Sequence, residues 1–245
     1  MDKYILECCV DSVESAIEAE IGGANRIELC SALVIGGLSP SKKLFEEVKK
    51  YTNIKIHVLL RPRFGDFCYT NHEHQIIKNE VKMFKKLGAD GVVIGTLKPD
   101  GTLNMEQMKE LIEEADGMSV TLHRAFDMCK DPMKTLQDSK KLGINTILTS
   151  GQKNSCINGT DLLCELVKTA SNDIDILIGG GVDASVIAAL HEKTGATSFH
   201  MSGKVTLDSD MVYRKEDVNM GVASMSEYQI WRTSSSRRHE KCLTG

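Results

Sequence analysis

The sequence predicts a single-domain α/β protein, a (β/α)8 TIM barrel. Two observations carry this. At 245 residues the chain has the length usual for one such barrel, roughly 250. One segment pattern also recurs four times: a helix end, a glycine, one or two small or polar residues, then a short apolar strand. The copies read Gly23-Ala24-Asn25-Arg26-Ile27-Glu28-Leu29, Gly88-Ala89-Asp90-Gly91-Val92-Val93-Ile94, Gly143-Ile144-Asn145-Thr146-Ile147-Leu148-Thr149 and Gly195-Ala196-Thr197-Ser198-Phe199-His200-Met201. A glycine just past a helix ends it in the left-handed conformation and turns the chain back toward a sheet.

The elements follow in order. Tyr4–Val10 is a first strand, and Asp11–Ile21 a helix that Ser12 can cap. The first glycine copy supplies strand two, Lys42–Lys50 a helix and Ile54–Arg61 strand three. The second copy is strand four, followed by a helix over Asn104–Glu114 with Asn104 as its cap. Ser119–Arg124 is strand five, and Asp131 caps a helix over Pro132–Leu142, where Pro132 suits the first turn. The third copy is strand six, Ile174–Ile178 strand seven, Asp183–Glu192 a helix, and the fourth copy strand eight. The strands are short and rich in Ile, Val and Leu, as strands covered on both faces should be. A doubly wound open sheet uses the same units, but the count reaches eight with none left over, which favours closure. Residues 1–204 form the barrel core. Residues 205–245 are expected to complete the same domain with a helix over Ser224–Arg232 and a polar tail from Thr233 to Gly245.

Composition narrows the function. The chain is 41% hydrophobic and 26% charged, with a net charge of −4. It has no basic stripe for nucleic acid and no polybasic run for an anionic membrane. The first segment reaches Glu7 before a signal-peptide core forms, and no apolar run approaches the roughly 18 residues of a span. A cytoplasmic protein is expected. Its eight cysteines include no Cys-x-x-Cys pair, so neither a zinc ribbon nor a thioredoxin-type site is indicated.

In such barrels the chemistry sits where strands end and loops begin. Here the strand ends carry Glu7 and Cys9, Glu28 and Cys30, His57 and Arg61, His123 and Arg124, Ser150, and His200 with Ser202. Period-two alternation puts Glu7 with Cys9, Glu28 with Cys30, and His57 with Arg61 on shared faces. Buried carboxylates are costly unless paired, so these charges are expected to neutralise one another around a polar cup, whether as a site or as a structural ion-pair network. Glu7, Glu28, His57, His123 and His200 are candidate acid–base groups. Arg61, Arg63, Arg124, Asp127, Ser150, Gly180, Gly181, Ser202 and Lys204 are candidates for binding a small anion. The Gly179-Gly180-Gly181 and Ser202-Gly203-Lys204 turns suit phosphate, although glycines also simply turn a chain. The loop Pro62–Tyr69 is either a lid or binding loop, or a cap that covers the barrel end with aromatics. No lysine at a strand end has the apolar neighbours that a Schiff-base aldolase needs.

Several runs carry a family resemblance: Cys9-Val10-Asp11-Ser12, Gly23 through Cys30, Arg61-Pro62-Arg63, Gly65-Asp66-Phe67-Cys68-Tyr69, His123-Arg124-Ala125-Phe126-Asp127, Leu148-Thr149-Ser150-Gly151 and Gly179-Gly180-Gly181-Val182. Over about residues 4–204 the chain resembles the CutC family. The resemblance implies a cytosolic barrel, often a homo-oligomer, assigned to copper homeostasis, with Cys9 and Cys30 matching the family's proposed Cu(I) ligands. Thiolates suit Cu(I). Two departures are Cys8, an added thiol on the opposite face from Cys9, and Asn25 where the family usually has aspartate. The expected function is Cu(I) binding in copper homeostasis. The alternative is a barrel enzyme acting on a small phosphorylated or carboxylated metabolite, and a non-catalytic scaffold is a third reading. The partner is accordingly a copper ion or a small anion.

Overall fold

The computed structural model describes residues 4–215, 217–221 and 226–234. Eight parallel strands close into a barrel in sequence order. They are β1 (Ile5–Val10), β2 (Arg26–Leu29), β3 (Lys55–Leu59), β4 (Gly91–Ile94), β5 (Ser119–Leu122), β6 (Thr146–Thr149), β7 (Asp175–Ile178) and β8 (Ser198–Met201). The helices between them are α1 (Val13–Ile21), α2 (Lys42–Tyr51), α3 (Asn71–Leu87), α4 (Met105–Ala115), α5 (Pro132–Lys141), α6 (Thr160–Ala170) and α7 (Ala184–Thr194). Ser12, Asn104, Asp131 and Asp183 each cap a helix by accepting from a backbone N–H, as their residue types predict.

The fourfold segment has a structural reason. Its glycines, Gly23, Gly88, Gly143 and Gly195, all take positive φ. Two residues on, three of the copies place a side-chain oxygen where it ties two strands together. Asn25 Oδ1 accepts from Leu6 N–H at 3.1 Å, Asp90 from Ile56 N–H at 2.9 Å and Asn145 from Val120 N–H at 2.8 Å. The strands are thus stapled in pairs, β1 with β2, β3 with β4, and β5 with β6. Asn25 makes this staple as Asp90 does, and its amide also donates to Tyr4 O at 2.7 Å.

The apolar core lies mainly between the strands and the helices, where Leu6, Cys8 and Val10 of β1 pack. The barrel interior is largely polar. Glu7, Arg26, Glu28, His57, Thr121, Thr146 and Ser198 are all buried, where Val, Ile and Leu layers usually fill such a barrel. Cys30 packs inside with Leu59 and Val93. Glycines make room for the imidazoles. A Cβ on Gly91 would meet the His57 ring at 2.7 Å, and one on Gly95 the His123 ring at 2.6 Å.

The region after the barrel departs from expectation. In place of the helix over Ser224–Arg232, the described part is a turn leading into strand β10 (Gln229–Thr233), paired antiparallel with β9 (Lys204–Asp208). Gln-Ile-Trp-Arg-Thr is β-branched and aromatic, which favours strand over helix. Ser224, Met225 and the tail beyond Ser234 lie outside the described residues. No helix among the described residues is long and apolar enough to cross a membrane.

Candidate functional site

The carboxyl ends of the strands surround a cavity of 290 Å³. Its floor begins with the register of the first strands. Cys9 pairs with Glu28 and Glu7 with Arg26, while Glu7 on the other side pairs with His200. Glu7 is fully buried and ion-paired to Arg26 Nε at 2.5 Å, and His200 Nδ1 donates to its second oxygen at 2.8 Å. Burial alone would raise the Glu7 carboxyl, but the Arg26 guanidinium and His200 hold it down to about 2. Burial would lower His200, yet Cys9, which hydrogen-bonds to it, together with Glu7 and Glu28 raises it well above the ordinary imidazole range.

Glu28 stands one strand over with a different fate. Burial pushes its carboxyl up to about 7, His200 and Arg26 only partly opposing this. Its Oε2 is buried without a hydrogen-bond partner. Oxygen and nitrogen atoms of Glu7, Glu28 and His200 lie within 4.8 Å of one another, a spacing a divalent cation could bridge. Arg26 already supplies positive charge at this point.

Higher in the cavity, His123 packs against Phe67 with ring centroids 4.6 Å apart and planes tilted by 43°. Its Nδ1 accepts from Ala125 N–H at 3.1 Å, which puts the ring proton on Nε2. Burial and the nearby Arg61 cation push this imidazole down to about 3. Arg61 Nη1 donates to Gly37 O at 3.1 Å and Nη2 to Gly65 O at 2.9 Å. The guanidinium lies over Phe67 at 5.1 Å. Gly180, Gly181, Ser202, Lys204 and Arg124 complete the rim, joined by Trp231 of β10.

Of the predicted residues, Cys9, Glu28, Arg61, His123, Arg124, Gly180, Gly181, His200, Ser202 and Lys204 line this one cavity. Others do not reach it. His57 faces a separate hollow at the amino-terminal end, alongside Tyr4, Arg26 and Asp90. There burial lowers it to about 4, so it is a neutral core imidazole at neutral pH. Glu7 lies beneath the floor and stays ionised. Neither suits the acid–base role expected of it, and His123, held neutral, does not either. Arg63 is bound to Glu73 at 2.6 Å and Asp66 at 3.0 Å on the outer side of its loop, over the Tyr69 ring. Arg63 is thus held by acidic neighbours, and of residues 62–69 only Phe67 lines the cavity. Asp127 accepts from Thr149, Ser150 and Gln152, and Ser150 Oγ binds Asp127 and Arg124. These two residues tie down Arg124 and do not line the cavity.

Cys30 also lies off the cavity. It is fully buried, and its thiol donates to Val10 O at 3.4 Å. Burial, with Cys9, Glu28 and Asp11 adding, pushes it well above the ordinary thiol range. Sequence reasoning missed Arg26, the counter-ion of Glu7. Its signal was there: Arg26 alternates with Glu28 and Cys30 on one face. Trp231 carried no such signal, because only the ribbon brings it to the mouth.

The sequence model of the CutC family matches residues 4–205. The chain belongs to the CutC family. It is 42% identical to the human copper homeostasis protein cutC homolog, over 93% of this chain and 84% of that protein. A CutC family protein from Pasteurella multocida is 41% identical over 93% of both chains. Among solved structures, a CutC from Streptococcus agalactiae superposes with a TM-score of 0.77 at 28% identity, covering 81% of this chain and 98% of that one.

Proposed function

We propose that this CutC chain acts in copper homeostasis, as its relatives are named to do, by binding Cu(I) through Cys9 and Cys30. The observation that carries this reading is the placement of the two thiols. They stand on adjacent strands, both turned into the barrel, with Cys30 two residues beyond the register partner of Cys9. Cys9 opens on the cavity, which gives the ion an approach. Cys30 must lose its proton to bind, so affinity should rise with pH. Anaerobic titration against a Cu(I) chelator is the test. A single tight site is expected in the parent, weakened in both Cys9→Ser and Cys30→Ser. A double variant that binds as tightly as the parent ends this reading.

A specific observation favours a second reading, an enzyme acting on a small anionic metabolite. Glu28 Oε2, Arg61 Nε and His123 Nε2 are buried without partners, and all three residues line the same cavity. Buried polar atoms are rarely left so. Glu28, held near 7, is the group suited to moving a proton at neutral pH. The melting temperature of the full chain should rise with some member of a panel of small carboxylates and phosphates. A panel that leaves it unmoved removes this reading.

A further inference from the structure

We propose that Arg61 and His123 form an oxyanion subsite at the inner wall of the cavity, and that the ligand it takes is the carboxylate of a small organic acid. This rests on the reading of the cavity as a metabolite site and names what that site recognises.

Arg61 is 8% exposed, and its two terminal nitrogens are spent on the carbonyl oxygens of Gly37 and Gly65. No ion pair among the described residues includes it. A buried guanidinium without a counter-ion is costly, and its Nε–H has no acceptor. An anion supplies both the charge and the acceptor.

His123 provides the second donor, and its surroundings fix which atom that is. Phe67 packs against the ring at a tilt, and the missing Cβ of Gly95 lets Nδ1 sit against the backbone, where Ala125 N–H fills its lone pair. The neutral ring therefore presents Nε2–H, which is buried at 4% residue exposure and has no partner. The nearby Arg61 cation disfavours a second proton on this ring. His123 is thus a fixed neutral donor rather than an acid–base group.

The number of donors selects the ligand. Two unpartnered N–H groups, on residues that line one cavity beside Leu59 and Phe67, offer one bond to each oxygen of a carboxylate. A phosphate would leave a third charged oxygen against apolar surface. The Gly180 and Gly181 amides, Ser202 and Lys204 stand at the rim, where they suit the polar remainder of such an acid.

The test uses the full chain at pH 7 with glycolate, malonate and inorganic phosphate as probes. It is read by thermal shift and by 15N-edited NMR of the histidine side chains. A carboxylate should bind and move the His123 Nε2–H resonance. His123→Leu should weaken that binding about tenfold or more, whereas His123→Gln, which keeps an N–H donor, should retain most of it. Arg61 also ties down two loops, so the His123 variants and the wild-type resonance carry the decision. Carboxylate binding that survives His123→Leu with an unmoved resonance overturns the subsite while leaving the metabolite reading intact. Tighter binding of phosphate than of either carboxylate overturns the choice of ligand. No binding by any probe overturns the metabolite reading, and the subsite with it.

Discussion

Glu7 and Glu28 are the same residue type on adjacent strands, and the barrel drives their carboxyls in opposite directions. Both pay for burial, but only Glu7 has a guanidinium against it. The consequence is a stability profile with two slopes. Glu7 is depressed from 4.5 to about 2, so its contribution is present above pH 4.5 and lost as pH falls through about 2. His57 and His123 are depressed from 6.5 to about 4 and about 3, so each loses stability on acidification below 6.5. Glu28, raised from 4.5 to about 7, runs the other way and gains as pH falls across that interval. From pH 6.5 to 4.5 two imidazoles lose while Glu28 gains, joined in part by Glu80 and Asp175, whose carboxyls burial also raises, so urea midpoints should decline gently at most. Below 4.5 Glu28 is protonated in both states and Glu7 joins the loss, to which His57 adds only down to about 4 and His123 down to about 3. The decline should then steepen, amounting to several kcal/mol at roughly 1.4 kcal/mol per pH unit per group. Glu28→Gln should steepen the upper limb, and an unchanged slope there would contradict the assignment.

At the level of elements, much of the barrel was legible because its strands announce themselves locally. Glycine, then Asn or Asp, then an apolar run is a physical unit: the glycine turns the chain, and the side-chain oxygen staples the preceding strand. Face was legible as well, since Cys8 falls among the outer apolar side chains and Cys30 inside, as alternation requires. Depth was not. Alternation says that His57 and Arg61 share a face but not that His57 lies toward the far end of the barrel while Arg61 lines the mouth. Nor does it show that Cys30 lies two residues past the partner of Cys9, because the offset between strands belongs to the closed sheet. The ribbon of β9 and β10 was missed for a related reason. Its strands stabilise each other over 20 residues of separation, and a local period carries no trace of that pairing.

For the whole molecule, the ribbon makes the mouth a joint product of the barrel and the segment that follows it. Thr233 N–H donates to Ser15 Oγ on α1 at 3.1 Å, and its hydroxyl to Ser202 O after β8 at 3.1 Å. This anchorage holds Trp231 at the cavity, with the Lys204 ammonium 3.4 Å from its ring centroid. Trp231 is the sole tryptophan of the sequence, so its fluorescence reports on this one wall. A cation over an indole face is held by the ring quadrupole, an attraction of about 0.5–2 kcal/mol. An anion entering the cavity competes for the same ammonium. Titration with a binding carboxylate should therefore change Trp231 emission saturably, with the midpoint found by thermal shift. Lys204→Met should alter the emission of the free protein and blunt the response. If a carboxylate binds while the emission stays constant, Lys204 keeps its place on the ring, and the ribbon is a cover for the barrel rather than a wall of its site.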